Sequence, residues 1–207
     1  MKPSSLIKEA SDRLVDQEPG FQYTTWKKEQ LLAAFNWAVS IIADLKPETF
    51  ATPMAITLTT GSSLKLEDCD RFLPPYTLLD KNGRFVRDLV QGTVRGSLRT
   101  RKLCGDDNGP YYFNKLGESS FEVFPPLDSN DAGWQVEGQC ASAPQAQSED
   151  EDIDVPVHLR AAVLELMMHY AHMYDTEAVP SRDRAAVHWN NAMLLINPTG
   201  GARRASQ

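Results

Sequence analysis

The sequence predicts an α+β protein in which helices from both chain ends form a bundle, with an antiparallel β-hairpin or β-sheet region inserted between them. Three observations carry that expectation. Apolar residues recur at helical spacing towards each end. Between them, period-two alternation is punctuated by Gly, Asn and Pro. The period changes near Pro47 and again at an acidic run, 147–154.

Over residues 3–16, Leu6, Ile7, Ala10 and Leu14 share one helical face, and Lys8, Glu9, Asp12 and Arg13 fill the other. Pro19-Gly20 breaks this helix, because proline cannot continue the hydrogen-bond ladder and glycine favours reversal. Thr24 and Thr25 are candidate caps for a second helix opening at Trp26, since a hydroxyl there can accept from the first free N–H groups. Its broad stripe of Leu31, Leu32, Phe35, Ala38, Val39, Ile42 and Leu45 suits a helix packed on more than one side and ending near Pro47.

From Pro53 the pattern is period two. Ala55–Thr59 alternates, Gly61-Ser62-Ser63 turns and Leu64–Leu66 alternates again, which predicts a hairpin. A second hairpin is predicted from Tyr76–Leu79 and Arg84–Val86, because Asn82-Gly83 between them supplies the positive φ a tight turn requires. Tyr111–Phe113, Phe121–Phe124 and residues 134–140 are further strands, the second stopped by Pro125-Pro126. Residues 141–154 turn small, polar and then acidic, the composition of a solvated linker.

Helical period returns at Val157 with Leu159, Val163, Leu166, Met167, Tyr170, Ala171 and Tyr174, after Asp154 as a cap and Pro156 in the first turn. Pro180–Asp183 opens a last helix carrying Ala186, Trp189, Ala192, Met193 and Ile196, ended by Asn197–Gly201. The remainder has no apolar period. The expected organisation is therefore N-terminal helices over 1–52, a β-rich region over 53–146, an acidic linker over 147–156, C-terminal helices over 157–197 and a flexible arm over 198–207.

The chain has 207 residues, 42% hydrophobic and 24% charged, enough to bury a core without disulfides. No run approaches the roughly 18 apolar residues of a membrane span, and the start lacks a signal-peptide core, so neither a membrane partner nor secretion is expected. A net charge of −7 argues against a surface that grips nucleic acid throughout. Cys69, Cys104 and Cys140 are odd in number and form no Cys-x-x-Cys pair, which predicts incidental thiols. Trp26, Trp37, Trp134 and Trp189 lie on apolar faces as core or interface anchors.

Four constellations bear on possible chemistry. Glu165, His169, His172 and Asp175 fall roughly along one helical face with nitrogen and oxygen donors, as a metal-dependent enzyme would need, but match neither the Glu-x-x-His spacing of carboxylate-bridged di-iron helices nor the His-Glu-x-x-His of zinc proteases. Solvated polar residues are the plainer reading, so no metal, cofactor or catalytic residue is assigned. Thr59–Ser63 lacks the second Gly and the Lys of a phosphate loop, and the carboxylates of 149–154 lack the spacing of a calcium loop. Arg84, Arg87, Arg95, Arg99, Arg101 and Lys102 form a basic zone opposed only by Asp88. Of these, Arg95, Arg99, Arg101 and Lys102 are candidates for contact with DNA or an acidic partner, and a nucleic-acid-binding regulator is the alternative function they would support.

In order along the chain, several segments resemble the tailed-bacteriophage head-to-tail connector (adaptor) proteins. They are Trp26, Leu31-Leu32, Phe35-Asn36 and Pro47; Ile56–Ser62; Phe121–Pro126; Ile153–Pro156; Asp175-Thr176-Glu177; and Arg184-Ala185-Ala186. The resemblance implies a non-enzymatic structural virion protein, assembled in the host cytoplasm as a ring of about twelve copies around the DNA channel. It implies the portal protein above, tail or nozzle proteins below, other copies of the chain beside it, and double-stranded DNA passing through without sequence-specific binding. Within that picture Pro198, Arg203 and Arg204 of the C-terminal arm are portal-binding candidates.

Overall fold

A computed structural model of the chain describes residues 1–14, 17–18, 21–22, 26–92, 110, 112–127, 129, 133–174 and 179–197. It divides into two compact units, Met1–Phe50 with Ala143–Gln207, and Ala51–Ser142.

The first unit contains α1 (Pro3–Arg13), α2 (Lys28–Leu45), α3 (Arg160–Tyr174) and α4 (Val179–Ile196), with a short antiparallel ribbon of β1 (Gln17–Glu18) and β2 (Phe21–Gln22). Pro3 begins α1 with its φ already helical. The second helix starts two residues beyond the Trp26 expected from sequence. The Lys27 backbone N–H donates to Gln30 Oε1 at 2.9 Å there, while the expected caps Thr24 and Thr25 lie outside the described residues. It ends at Leu45, and a single 3-10 turn, Pro47–Phe50, follows.

Leu6, Ile7, Phe35, Ile42, Leu166 and Met167 are fully buried in one core. Each such side chain contributes about 1.5–3 kcal/mol of transfer free energy. The strand-free segment after Ala143 adds Ala146, Ile153 and Val155 to that core while its acids remain outside. It is tied down by backbone bonds to α1 and to the residue before its cap, from Ser4 N–H to Glu149 O at 2.8 Å and from Ile153 N–H to Met1 O at 3.2 Å. The Asn36 side chain of α2 serves both backbone groups of Ala146, donating to its carbonyl at 2.9 Å and accepting from its N–H at 2.9 Å.

The second unit corrects the expected fold class. A helical bundle bearing an inserted antiparallel hairpin region is not what the chain forms. Its strands build two four-stranded sheets with a separate core, in the orders β3-β10-β5-β6 and β4-β9-β8-β7. The strands are β3 (Ala51–Thr57), β4 (Gly61–Lys65), β5 (Arg71–Leu79), β6 (Phe85–Asp88), β7 (Val90–Gln91), β8 (Tyr112–Lys115), β9 (Ser120–Leu127) and β10 (Gln135–Ala141). One pair, β7 with β8, is parallel.

The hairpin expected from Ala55–Leu66 does not form either. Its two arms go to different sheets, β3 pairing with β10 and β4 with β9. Alternation reports only that every second side chain is buried, and so cannot choose the partner strand. The hairpin around Asn82-Gly83 does form, as β5 and β6, with Gly83 at φ 74° and the Asp80 carboxylate accepting from the Asn82 and Arg84 N–H groups at 2.7 and 2.9 Å. Those bonds, Arg84's first, hold the Asp80 carboxyl below the usual carboxylate range.

Neither Pro-Pro pair ends its strand. Pro74-Pro75 lies where β5 bulges against Gly138 of β10, and Pro125-Pro126 lies in the irregular stretch of β9 opposite Ser62. A missing N–H costs least where the ladder is already interrupted. Tyr76 stacks on Phe113 at 3.9 Å and Phe113 on Phe121 at 4.6 Å, joining the inner faces of the two sheets. Phe72 lies over Gly138, where a Cβ would come within 2.4 Å of its ring.

The incidental-thiol expectation is also corrected for two cysteines. Cys69 and Cys140, 71 residues apart in sequence, form a disulfide with Cα atoms 5.6 Å apart. Chain spacing hid this, because Cys140 is brought beside Phe72 only by the pairing of β10 with β5. Cys104 lies outside the described residues.

Candidate functional site

The helices of the first unit are joined by a line of charged groups. Arg160 of α3 reaches Glu9 of α1 at 2.6 Å, Glu9 meets Arg13 at 3.0 Å, and Arg13 reaches Glu165 of α3 at 3.4 Å. The hydrogen bond from Arg160 is the largest cause holding the Glu9 carboxyl below its ordinary value, with Arg13 adding to it. The line continues into α4, where His188 Nδ1 lies 2.8 Å from Glu165 Oε2 and Asn191 donates to the same oxygen at 3.2 Å.

That geometry separates the residues considered as a metal set. His169 Nδ1 faces the carbonyl of Ala185 at 2.8 Å; a carbonyl only accepts, so this nitrogen carries a proton and donates. The His169 ring stacks on Trp37 with centroids 5.8 Å apart and meets Trp189 at 5.1 Å. His172 stacks instead on His188, at 5.4 Å. Glu165 and His169 thus serve as two clips holding α4 on α3, and Asp175 lies outside the described residues. Among the described residues, no group of three or more His, Cys, Asp or Glu is arranged to hold a metal ion.

The contact candidates Arg95, Arg99, Arg101 and Lys102, and the arm candidates Pro198, Arg203 and Arg204, lie outside the described residues. Of the basic zone only Arg84 and Arg87 are described, on or beside β6. Among the described residues, no helix is long and apolar enough to cross a membrane.

Two surfaces of the first unit stand out instead. The buried stripe of α4 is Ser181, Ala185, Ala192 and Ile196, with Trp189 and Met193 partly buried against the same core; of the face expected from sequence only Ala186 is exposed, Ala185 being covered in its place. The opposite face leaves Val187 56% and Leu194 55% exposed, two turns apart on one line, with Leu195 48% exposed beside them. Arg182 and Arg184 stand exposed in the first two turns of the same helix. Apolar residues on both sides of α4 were the available signal that it has two faces to cover.

The second surface is the acidic segment tied to α1 and α2, where Asp150, Glu151, Asp152 and Asp154 are exposed and Val157, just beyond, is 80% exposed. Within it Glu149 pairs with Lys28 at 2.7 Å and Asp152 with the α-amino group of Met1 at 2.6 Å. The hydrogen bond from that amino group is the first cause lowering the Asp152 carboxyl.

The model of the SU10 adaptor protein family matches this chain over residues 1–205. No curated protein matches it.

Proposed function

The chain belongs to the SU10 adaptor protein family, and from that premise we propose that it is the head-to-tail adaptor of a tailed-phage virion. In this reading it forms a ring beneath the portal, joins capsid to tail or nozzle proteins, and surrounds the channel through which DNA is packaged and ejected. The observation that carries the reading is the span of the family match, 1–205, which takes in helices, sheets and termini together and not one transferable module. A net charge of −7 supports it, because a negative lumen lets DNA pass without adhering. The role needs no turnover. A subunit of this kind contributes binding surface, and the exposed faces of the first unit suit that work.

The deciding experiment is the mass of the cognate portal ring with and without the purified chain. The reading expects a gain of about twelve copies per portal, one for each position of a symmetric ring. A portal ring whose mass does not change overturns it. Removing residues 198–207, with Pro198, Arg203 and Arg204, is expected to lower portal attachment, and unchanged attachment would remove the arm from the interface. Charge reversal at Arg95, Arg99, Arg101 and Lys102 is expected to weaken attachment most at low salt if these residues meet an acidic partner surface.

A further inference from the structure

We infer that the Cys69–Cys140 disulfide is a late staple: the sheet unit folds with both cysteines as thiols, and the bond closes afterwards, when the folded protein leaves a reducing compartment for an oxidising one. The inference rests on the virion reading for the change of compartment and on the fold for everything else.

First, the fold brings the two sulfurs together by bonds of its own. Cys140 lies in β10, a strand paired on one side with β3 and on the other with β5, where it stands opposite Thr52 and Phe72. Cys69 comes just before β5, in a stretch held to the β8–β9 turn by Leu66 N–H to Ser119 O at 2.8 Å and Phe72 N–H to Glu118 O at 3.1 Å. The two Cα atoms are 5.6 Å apart, within the span that a disulfide bridges without backbone movement.

Second, the core of the unit does not depend on the bond. Leu78, Phe113, Phe121 and Val136 are buried in it together, and Cys69 and Cys140 belong to the same cluster. Reduced, the two remain there as small apolar side chains, a role that free cysteine fills well. Third, Cys69 sits in a turn whose Glu67, Asp68 and Asp70 are all exposed, so lifting that turn alone brings its sulfur to solvent while β10 stays in place.

Closure is then a thiol–disulfide exchange on the folded chain. The Cys69 thiolate attacks a low-molecular-weight disulfide, RSSR, and expels one RS⁻; the Cys140 thiolate attacks the mixed disulfide so formed and expels the other. The cysteine pair is oxidised, RSSR is reduced to two RSH, and the two cysteine protons pass to the released thiolates. A cytosol holds this equilibrium towards the thiols, and an extracellular medium towards the bond.

The place of the bond shows what closure changes. It lies one residue inside the Ala51–Ala141 pair, at the end where the chain enters and leaves the sheet unit. Tension arriving through those two crossings meets that pair first. Once Cys140 is tied to Cys69, β10 cannot be drawn out of the sheet beyond it.

The test uses the full chain carrying Cys104→Ser, so that only two thiols take part. Under dithiothreitol the reduced chain should melt cooperatively. In graded glutathione buffers, with free thiols blocked by N-ethylmaleimide before digestion, the folded chain should close the bond with an equilibrium constant about a thousandfold above that of the same chain in urea, the factor that loop closure over 71 residues supplies. A reduced chain without a cooperative melt overturns the inference, and so does a ratio below about tenfold. The natural chain is then followed in producing cells and in released virions, both quenched in acid and blocked in the same way. Residues 69 and 140 should carry the label in cells and be joined in particles. A bond already closed in cells overturns the inference, as do labelled cysteines in particles that hold the chain; particles that lack the chain overturn the virion reading and the timing with it.

Discussion

Asn36→Ala should destabilise the first unit by removing the side chain that ties α2 to the segment around Ala146. Its amide closes both backbone groups of Ala146, at 2.9 Å each, and Ala146 is only 2% exposed. Removing the amide strands a buried N–H and a buried C=O, at about 1–3 kcal/mol each. Allowing for water entering the space left by a half-buried side chain, the expected loss is about 2–4 kcal/mol. For a unit made of residues 1–50 and 143–207 that is a fall of about 10–20 °C in its melting temperature.

Ser40→Ala is the control, because Ser40 Oγ donates only to Trp37 O within the same helix, at 2.8 Å, and should cost well under about 1 kcal/mol. Differential scanning calorimetry reads the stability, and hydrogen exchange at the Ala146 amide reads the contact itself. An Asn36→Ala protein that melts within about 1 °C of wild type, with the Ala146 amide still protected, would refute the reasoning.

Gly138→Ala should destabilise the sheet unit by about 1–3 kcal/mol, because a Cβ would meet the buried Phe72 ring at 2.4 Å; a midpoint in urea equal to wild type would contradict the packing. Replacing Cys69 and Cys140 together by Ser should cost about 4 kcal/mol by loop-closure entropy for 71 residues, and added reductant should bring wild type to the same midpoint. Glu9→Gln should flatten the acid limb of stability. The folded Glu9 carboxyl is lowered from 4.5, so its contribution is full above that pH and is lost as the pH falls through the lower folded value. Melting temperatures between pH 6 and 2.5 test this, since equal acid sensitivity in the variant would rule out Glu9 as a source.

Much of the helical unit was legible in the sequence. Leu6, Ile7, Phe35, Ile42 and Leu166 recur at a period that has one physical solution, a helix with a buried stripe, and Pro47 punctuates it through its own ring geometry. Asn82-Gly83 announced its hairpin for the same local reason. The candidate contact surface was less legible. The packed face of α4 was legible at Trp189, Ala192, Met193 and Ile196 but not at Ala186, because Ala185 and Ala186 look alike until α3 decides which is covered. The acidic segment read as a linker because charge dominates its composition, while Ile153 and Val155 alternate inward beneath the charges.

The sequence alone determined the long stretches of helical period, the Asn82-Gly83 turn and the net charge, because these depend on residues within a few positions of one another. The tertiary structure decided that β3 and β4 part company into different sheets, that Cys69 meets Cys140, and that Glu165 and His169 clip helices together and do not converge on a common centre. Each of those outcomes joins residues far apart in the chain, and a strand edge, a thiol or an imidazole carries no local mark of the partner it will find.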